Sequence, residues 1–274
     1  VPLPLSELVL PSAAPAHTEL LDLRPLPRSA VANEAWEGLF SFTHFNPVQT
    51  QVFHSVYHTD DNILLGSPTG SGKTVSAELA VLRLLRAHPG QKAVYIAPLK
   101  ALVRERMDDW GAKFVKQLGY RLEELTGDVA PDARALQDAD ILATTPEKWD
   151  GVSRHWQQRG YVRQVGLVII DEIHLLGEER GPILEIIVSR MRYIGSQTAQ
   201  TVRMVGLSTA MANAHDLAAW LGIPPDGLFN FKPSVRPVPL EVHIAAISPH
   251  ISPYVSPISP PHLPLERGSN PNPN

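Results

Sequence analysis

Cysteine is absent from the 274 residues, so neither a disulfide framework nor thiolate chemistry is open to the chain, which fits a reducing compartment. No uninterrupted apolar stretch is long enough to cross a bilayer, so no membrane partner is expected. No basic-then-apolar leader follows Val1, so a nuclear or cytoplasmic location is expected, and the chain reads as a segment of a longer polypeptide. A basic excess is missing too: the net charge of −4 gives no global attraction to nucleic acid, so any such binding must come from local contacts. The 43% hydrophobic and 19% charged content is that of a soluble globular protein with one substantial core.

Proline is plentiful, at 26 residues, and it gathers at the two ends. Residues 1–34 are punctuated by Pro2, Pro4, Pro11, Pro15, Pro25 and Pro27, which discourage helix and favour an extended entry arm. Within it, the stretch Leu20 to Leu23 either pairs along a sheet edge or serves as linker. Residues 242–274 carry Ser248-Pro249, Ser252-Pro253, Ser256-Pro257 and Ser259-Pro260. Such a tail cannot build a core and is expected to be disordered or loosely polyproline, with a proline-rich docking ligand as the alternative. That leaves 35–241 as the folded domain.

In this middle portion apolar runs alternate with helical patterns, the arrangement of parallel strands joined by helical crossovers. Strands are expected at 62–66, 93–97, 121–126, 140–144, 166–170 and 202–207. Helices are expected at 74–88, 99–118, 146–156, 182–194 and 213–221.

Two segments carry chemistry. Behind the apolar run Ile63-Leu64-Leu65-Gly66 stands Ser67-Pro68-Thr69-Gly70-Ser71-Gly72-Lys73-Thr74, a strand, a glycine-rich turn and a helix start shaped around phosphate. Turn amides and the positive helix end stabilise an anionic pyrophosphate; Lys73 adds a mobile charge and Thr74 a hydroxyl for magnesium. The strict pattern asks for glycine where Ser67 stands. Downstream, Val165-Gly166-Leu167-Val168-Ile169-Ile170 ends in Asp171-Glu172-Ile173-His174, which sets two carboxylates at a strand's C-terminal edge, where ligands of open α/β sheets bind. Asp171 is the candidate magnesium holder and Glu172 the candidate base for an attacking water, with Lys73 completing the catalytic set.

Together these segments resemble the first RecA-like lobe of superfamily 2 DExH-box helicases, in the tandem-cassette group that includes the large spliceosomal unwinding helicase. The likeness runs from about Leu20 to His243 and extends to the C-terminal cassettes of activating signal cointegrator complex helicase subunits. It implies an α/β fold, a RecA-like P-loop NTPase lobe with a mostly parallel sheet and helices on both faces. Its implied ligands are ATP and Mg2+, held by Gln49, Thr69, Gly70, Ser71, Gly72, Lys73 and Thr74. Gln49, in Phe45-Asn46-Pro47-Val48-Gln49, corresponds to the glutamine that reads adenine, a task suited to an amide offering donor and acceptor together. Pro98, Lys100, Thr126, Gly127, Thr145 and Pro146 fall in the family segments that hold the DNA or RNA backbone, although each also suits a helix cap. His174, Ser208 and Thr209 correspond to groups linking hydrolysis to movement. Val235 to Glu241 resembles the connector to a second lobe, which in the family supplies an arginine finger.

The implied activity is ATP-dependent helicase action, 3′ to 5′ in the parent, with slow hydrolysis by this lobe alone. Partners would be nucleic acid, the parent's second helicase lobe and activating signal cointegrator complex subunits. The rival reading is a non-catalytic binding or scaffolding fragment. A metabolic phosphate-loop kinase fits poorly, because no acceptor site is evident beside Asp171. His54 and His58, spaced i, i+4, lack a third metal ligand, and Trp110, Trp149, Trp156 and Trp220 are assigned to packing rather than base stacking.

Overall fold

The computed structural model describes residues 17–129, 131–177 and 181–238. All of them lie within the compact unit Val1–Pro239. The Ser/Pro tail and the first sixteen residues of the arm lie outside the described residues.

Helices α1 (Glu34–Glu37) and α2 (Pro47–His58) precede strand β1 (Ile63–Gly66). Then come α3 (Lys73–Ala87), β2 (Lys92–Ile96), α4 (Lys100–Trp110), β3 (Leu122–Leu125), α5 (Ala133–Asp138) and β4 (Ile141–Thr144). They are followed by α6 (Pro146–Ser153), α7 (Gly160–Arg163), β5 (Val165–Ile170), α8 (Gly181–Thr198), β6 (Arg203–Ser208), α9 (Ala214–Trp220) and β7 (Leu228–Asn230). The strands form one sheet in the order β3-β4-β2-β5-β6-β1-β7, and every neighbouring pair is parallel. Parallel neighbours require helical crossovers, so both faces of the sheet are covered; inner strands such as β1, β4 and β5 are fully buried, while the edge strand β3, with Glu123 and Glu124, is only partly so.

Alternation along each strand divides the core in two. Ile63, Leu65, Tyr95, Ile169 and Leu207 pack with Val52, Leu79, Val103 and Trp110 on one side. Leu64, Val94, Val168 and Ile170 pack with Trp149, Ile187 and Met191 on the other. Trp110 and Trp149 are fully buried, and Trp156 and Trp220 pack at the margin of the second cluster. Each buried aliphatic side chain contributes about 1.5–3 kcal/mol relative to exposure, so the strand centres are the most costly places to truncate.

Three features differ from the sequence reading. The arm pairs with the sheet edge at Thr18, bridged in parallel to Phe231, rather than through Leu20 to Leu23. β7 has only three residues and offers little ladder; Leu21 instead donates its N–H to Gln51 Oε1 at 3.0 Å, laying the arm along α2. Second, the helix expected over 99–118 changes winding: after Trp110 it continues as a π-helical segment, Gly111–Gln117. Third, β7, α2 and the short α1, α5 and α7 fall outside the strands and helices expected from the sequence.

Charged groups fasten the lower edge. Arg203, at the start of β6, donates to the carbonyls of Ser55 (3.0 Å) and Val56 (3.1 Å) in the last turn of α2, and of Asp61 (2.8 Å). Its burial lowers the guanidinium pKa to about 10. Asp60 takes a bidentate pair from Arg83 (2.9 and 3.0 Å) and lies 3.1 Å from His88 Nε2. The Arg83 hydrogen bonds hold its pKa at about 2, below the value of about 4 in an unfolded chain. Stability from this pair is therefore complete above about pH 4 and lost as pH falls through 2. Because Asp60 is 43% exposed, the amount is modest, under about 1 kcal/mol. Urea unfolding of Asp60→Asn should show a shallower loss of stability between pH 4 and 2 than the parent chain.

Candidate functional site

Order in the sheet brings the two distant motifs together. β1 and β5 flank β6, with Gly66 paired to Ser208 and Ile170 to Gly206, so the loops after β1 and β5 open on the same rim. The turn after β1 needs left-handed backbone at Gly70 (φ +82°) and Gly72 (φ +87°), the latter capping α3. A Cβ on Gly72 would also fall 2.1 Å from Gln49 Nε2. Ser67, the departure from the strict pattern, is buried, and its hydroxyl meets that of Ser71 at 2.7 Å across the loop. Ser71 thus turns its side chain inward, away from the ligand side.

A cavity of about 350 Å³ is lined by Thr69, Gly70, Gly72, Lys73, Thr74, Asp171 and Glu172, together with Tyr95, Glu105 and Leu207. Lys73 Nζ donates to the carbonyls of Ser67 (2.9 Å) and Pro68 (3.4 Å), curled into its own loop. Burial lowers its pKa, and the negative fields of Glu172 and Asp171 oppose that shift. Asp171 accepts the Glu172 N–H on Oδ1 at 3.0 Å and the Tyr95 hydroxyl on Oδ2. Burial, reinforced by the Asp171 charge, raises the Tyr95 pKa and keeps that hydroxyl a donor.

Glu172 adopts φ +51°, a left-handed conformation that costs a β-carbon residue about 1–3 kcal/mol and gathers at functional sites. Its Oε2 lies 3.3 Å from His174 Nδ1, off the hydrogen-bonding direction, and is buried with no hydrogen-bond partner. His174 Nδ1 instead sits 3.2 Å from Ser208 Oγ, and the Ser208 carbonyl accepts the Ser67 N–H at 2.9 Å. Ser208 therefore touches the segments behind both β1 and β5. Thr209, next in sequence, is half-buried beside Gly66.

Gln49 is only 5% exposed and both ends of its amide are engaged. Oε1 accepts the Asn46 N–H (3.0 Å) and Nε2 donates to the Gly72 carbonyl (3.4 Å), while Asn46 Oδ1 accepts the Gln49 N–H (2.9 Å). Asn46 Nδ2 also donates to the Ser71 carbonyl at 2.8 Å. This reciprocal cap starts α2 and at the same time ties the helix to the glycine turn.

Farther along the same rim a cavity of about 700 Å³ is lined by Pro98, Leu99, Lys100, Ala101, Gly127, Thr145, Glu147 and Lys148. Four of the six residues assigned to backbone contact face it. Thr126 and Pro146 do not: Thr126 is buried, donating to Glu124 Oε1 at 2.8 Å, and Pro146 is the buried first residue of α6. The alternative of helix capping fails at Thr145, whose side chain makes no capping hydrogen bond. Lys100 pairs with Asp128 at 2.8 Å, so its charge is partly matched within the protein.

Sequence reasoning missed three groups here. Tyr95 and Glu105 line the first cavity, and the Arg236 guanidinium lies 3.4 Å from where a Cβ on Gly70 would stand. No local pattern marks them, because each reaches the site from another element. The rings of His54 and His58 lie tilted to one another with centres 5.6 Å apart, and no group of three or more His, Cys, Asp or Glu placed to hold a metal ion forms among the described residues.

Comparison with known proteins agrees with this geometry. The family model for DEAD/DEAH box helicases matches residues 46–217. Over 237 residues, 86% of this chain, the sequence is 67% identical to activating signal cointegrator 1 complex subunit 3 of Bos taurus. It is 66% identical over the same share to the DExH-box ATP-dependent RNA helicase DExH14 of Arabidopsis thaliana. The chain spans 11% of the length of each of these relatives. Its fold is similar to that of the DUF1998 helicase MrfA bound to DNA and AMPPNP, with a TM-score of 0.65 and 20% identity over 76% of this chain and 30% of that one. Mss116p bound to ssRNA and AMP-PNP gives a TM-score of 0.64 and 20% identity over 76% of this chain and 45% of that one.

Proposed function

Because the chain belongs to the DEAD/DEAH box helicase family, we propose that its first cavity binds the phosphates of ATP and that its second holds a nucleic-acid backbone. The observation that supports this reading best is the single cavity shared by Lys73, Thr74, Asp171 and Glu172.

Each residue has a task its geometry suits. Lys73 exchanges the Ser67 and Pro68 carbonyls for phosphate oxygens, and the amides of Thr69 to Thr74 surround them with positive dipoles. Glu172, which lines the same cavity as Lys73 and Asp171, orients a water and accepts its proton. A hydroxyl and a carboxylate in one phosphate-sized cavity are the hard oxygen donors magnesium prefers. Thr74 and Asp171 would hold the ion, which neutralises charge between the phosphates. Gln49 selects adenine by releasing Gly72. Pro98, Lys100, Gly127 and Thr145 hold sugar and phosphate without reading bases, which suits either DNA or RNA. His174, Ser208 and Thr209 connect the nucleotide rim to movement.

The parent is a 3′ to 5′ motor in the nucleus or cytoplasm, where a second lobe and activating signal cointegrator complex subunits are its partners. This lobe alone, without an arginine from a second lobe, binds Mg-ATP weakly, hydrolyses slowly and does not unwind. No helix among the described residues is long and apolar enough to cross a membrane.

Nucleotide titration and phosphate release on the 274-residue chain test this reading. Lys73→Ala is expected to weaken ATP-analogue binding by at least about tenfold, the loss of one charge-assisted phosphate contact. Unchanged binding in that variant, with partner capture intact, would favour the scaffolding alternative. Fast, nucleic-acid-stimulated turnover by the chain alone would overturn the half-site account.

A further inference from the structure

We propose that Tyr95 and Arg106 are positioning residues for the magnesium-facing pair, Asp171 and Thr74. Tyr95 sits in the middle of the sheet, paired in register with Ile169 two residues before Asp171. It is 2% exposed, and its ring meets Trp110 edge-on at 5.2 Å. From this fixed base its hydroxyl reaches Asp171 Oδ2, while the Glu172 N–H occupies Oδ1. A carboxylate held at both oxygens cannot rotate freely, yet each oxygen keeps a further lone pair, and both Asp171 and Tyr95 line the cavity.

Arg106 secures the other half. It is 8% exposed, its guanidinium lies 5.5 Å from the Tyr95 ring centre and 5.6 Å from that of Trp110. Nη1 donates to Asp109 at 3.0 Å and Nη2 points to Thr74 Oγ1 at 3.5 Å. One side chain of α4 therefore braces the tyrosine on β2 and reaches the second residue of α3. Groups that act on an ion gain affinity when their neighbours fix their orientation beforehand, and loss of such a neighbour typically weakens metal binding 10- to 100-fold.

This inference rests on the first cavity being a magnesium-nucleotide site. Its test is titration of Mg2+ into the 274-residue chain holding a fluorescent ADP analogue, with the analogue's affinity also measured in EDTA. Tyr95→Phe keeps the ring and removes the donor. It should raise the magnesium midpoint by about tenfold while leaving the EDTA affinity within about twofold. Arg106→Lys, which keeps a cation but not the two-pronged reach, should raise the midpoint less, and it carries the comparison if Tyr95→Phe does not fold. An unchanged midpoint in the folded variants, or an equal loss with and without magnesium, would overturn the proposal while leaving the nucleotide site intact. A parent chain whose nucleotide binding ignores magnesium would overturn the site reading itself.

Discussion

Glu172→Gln should leave nucleotide affinity within about threefold of the parent chain and slow phosphate release by about 10²- to 10⁴-fold, the usual worth of a positioned base. The amide keeps the size of the carboxylate and one oxygen, so the cavity wall and the loop behind β5 are preserved. What disappears is the carboxylate as a proton acceptor in the cavity wall. The strained backbone of Glu172 (φ +51°) aims that group and remains in the variant, so any change in turnover belongs to the side chain. Single-turnover release of phosphate under saturating nucleotide is the measurement. Turnover equal to the parent would remove Glu172 from the chemistry and return the task to a solvent-borne base.

The largest effect on stability is expected at Lys113, in the π-helical segment. Its ammonium meets Glu78 Oε1 at 2.7 Å and Asp109 at 3.0 Å, and the Trp110 indole N–H donates to the same Glu78 oxygen at 3.2 Å. The Glu78 side chain is 1% exposed. Burial raises its pKa, and the Lys113 charge opposes that shift. Burial works against the Lys113 ammonium as well, but Glu78 and Asp109 together hold its pKa up. Lys113→Met leaves the carboxylate buried beside a thioether, which should cost about 3–5 kcal/mol near pH 8.

The sign of the pH dependence follows from the raised pKa of Glu78. A carboxyl whose folded pKa lies above the unfolded value of about 4.3 takes up a proton more readily when folded. The penalty is therefore fully present above the folded pKa and shrinks as pH falls toward and below it. Urea unfolding at pH 8 and pH 5 should show the gap between Lys113→Met and the parent narrowing on acidification. The double variant Glu78→Gln/Lys113→Met should recover much of the loss at pH 8. A gap below about 1 kcal/mol, flat with pH, would mean that water reaches Glu78 after all.

Much of this site was legible because its signals are local. The run Val165 to Ile170 and the glycine turn each announce their own conformation, and the parallel topology forces the loops behind them onto one rim. Strand positions agree within a residue or so because most of the runs, as at β1, β4 and β5, are apolar and need cover on both faces. β7 was lost because Leu228-Phe229-Asn230 is too short to show a period, and its pairing with β1 is supplied by distant sequence. Thr126 and Pro146 stand next to strand ends, as Gly127 and Thr145, which line the second cavity, do. Sequence cannot tell which of two adjacent side chains turns inward, and these two do. Tyr95 and Arg106 left no trace at all, since a tyrosine in a buried strand and an arginine on a helix mean nothing until tertiary packing sets them beside Asp171 and Thr74.

The change of winding at Gly111–Gln117 bears on how this stretch can vary in length. A π turn carries more residues per revolution than an α turn, so the segment behaves as though a surplus residue had been accommodated within a longer α-helix. Removing one position there would restore ordinary α geometry, leaving residues beyond the turn near their present faces while residues within it shift by roughly 100° each. Phe114 would leave its pocket against Trp110 and the Lys113 ammonium would point away from Glu78. A one-residue deletion inside this turn should therefore preserve the fold beyond Gln117 while removing the Lys113–Glu78 pair.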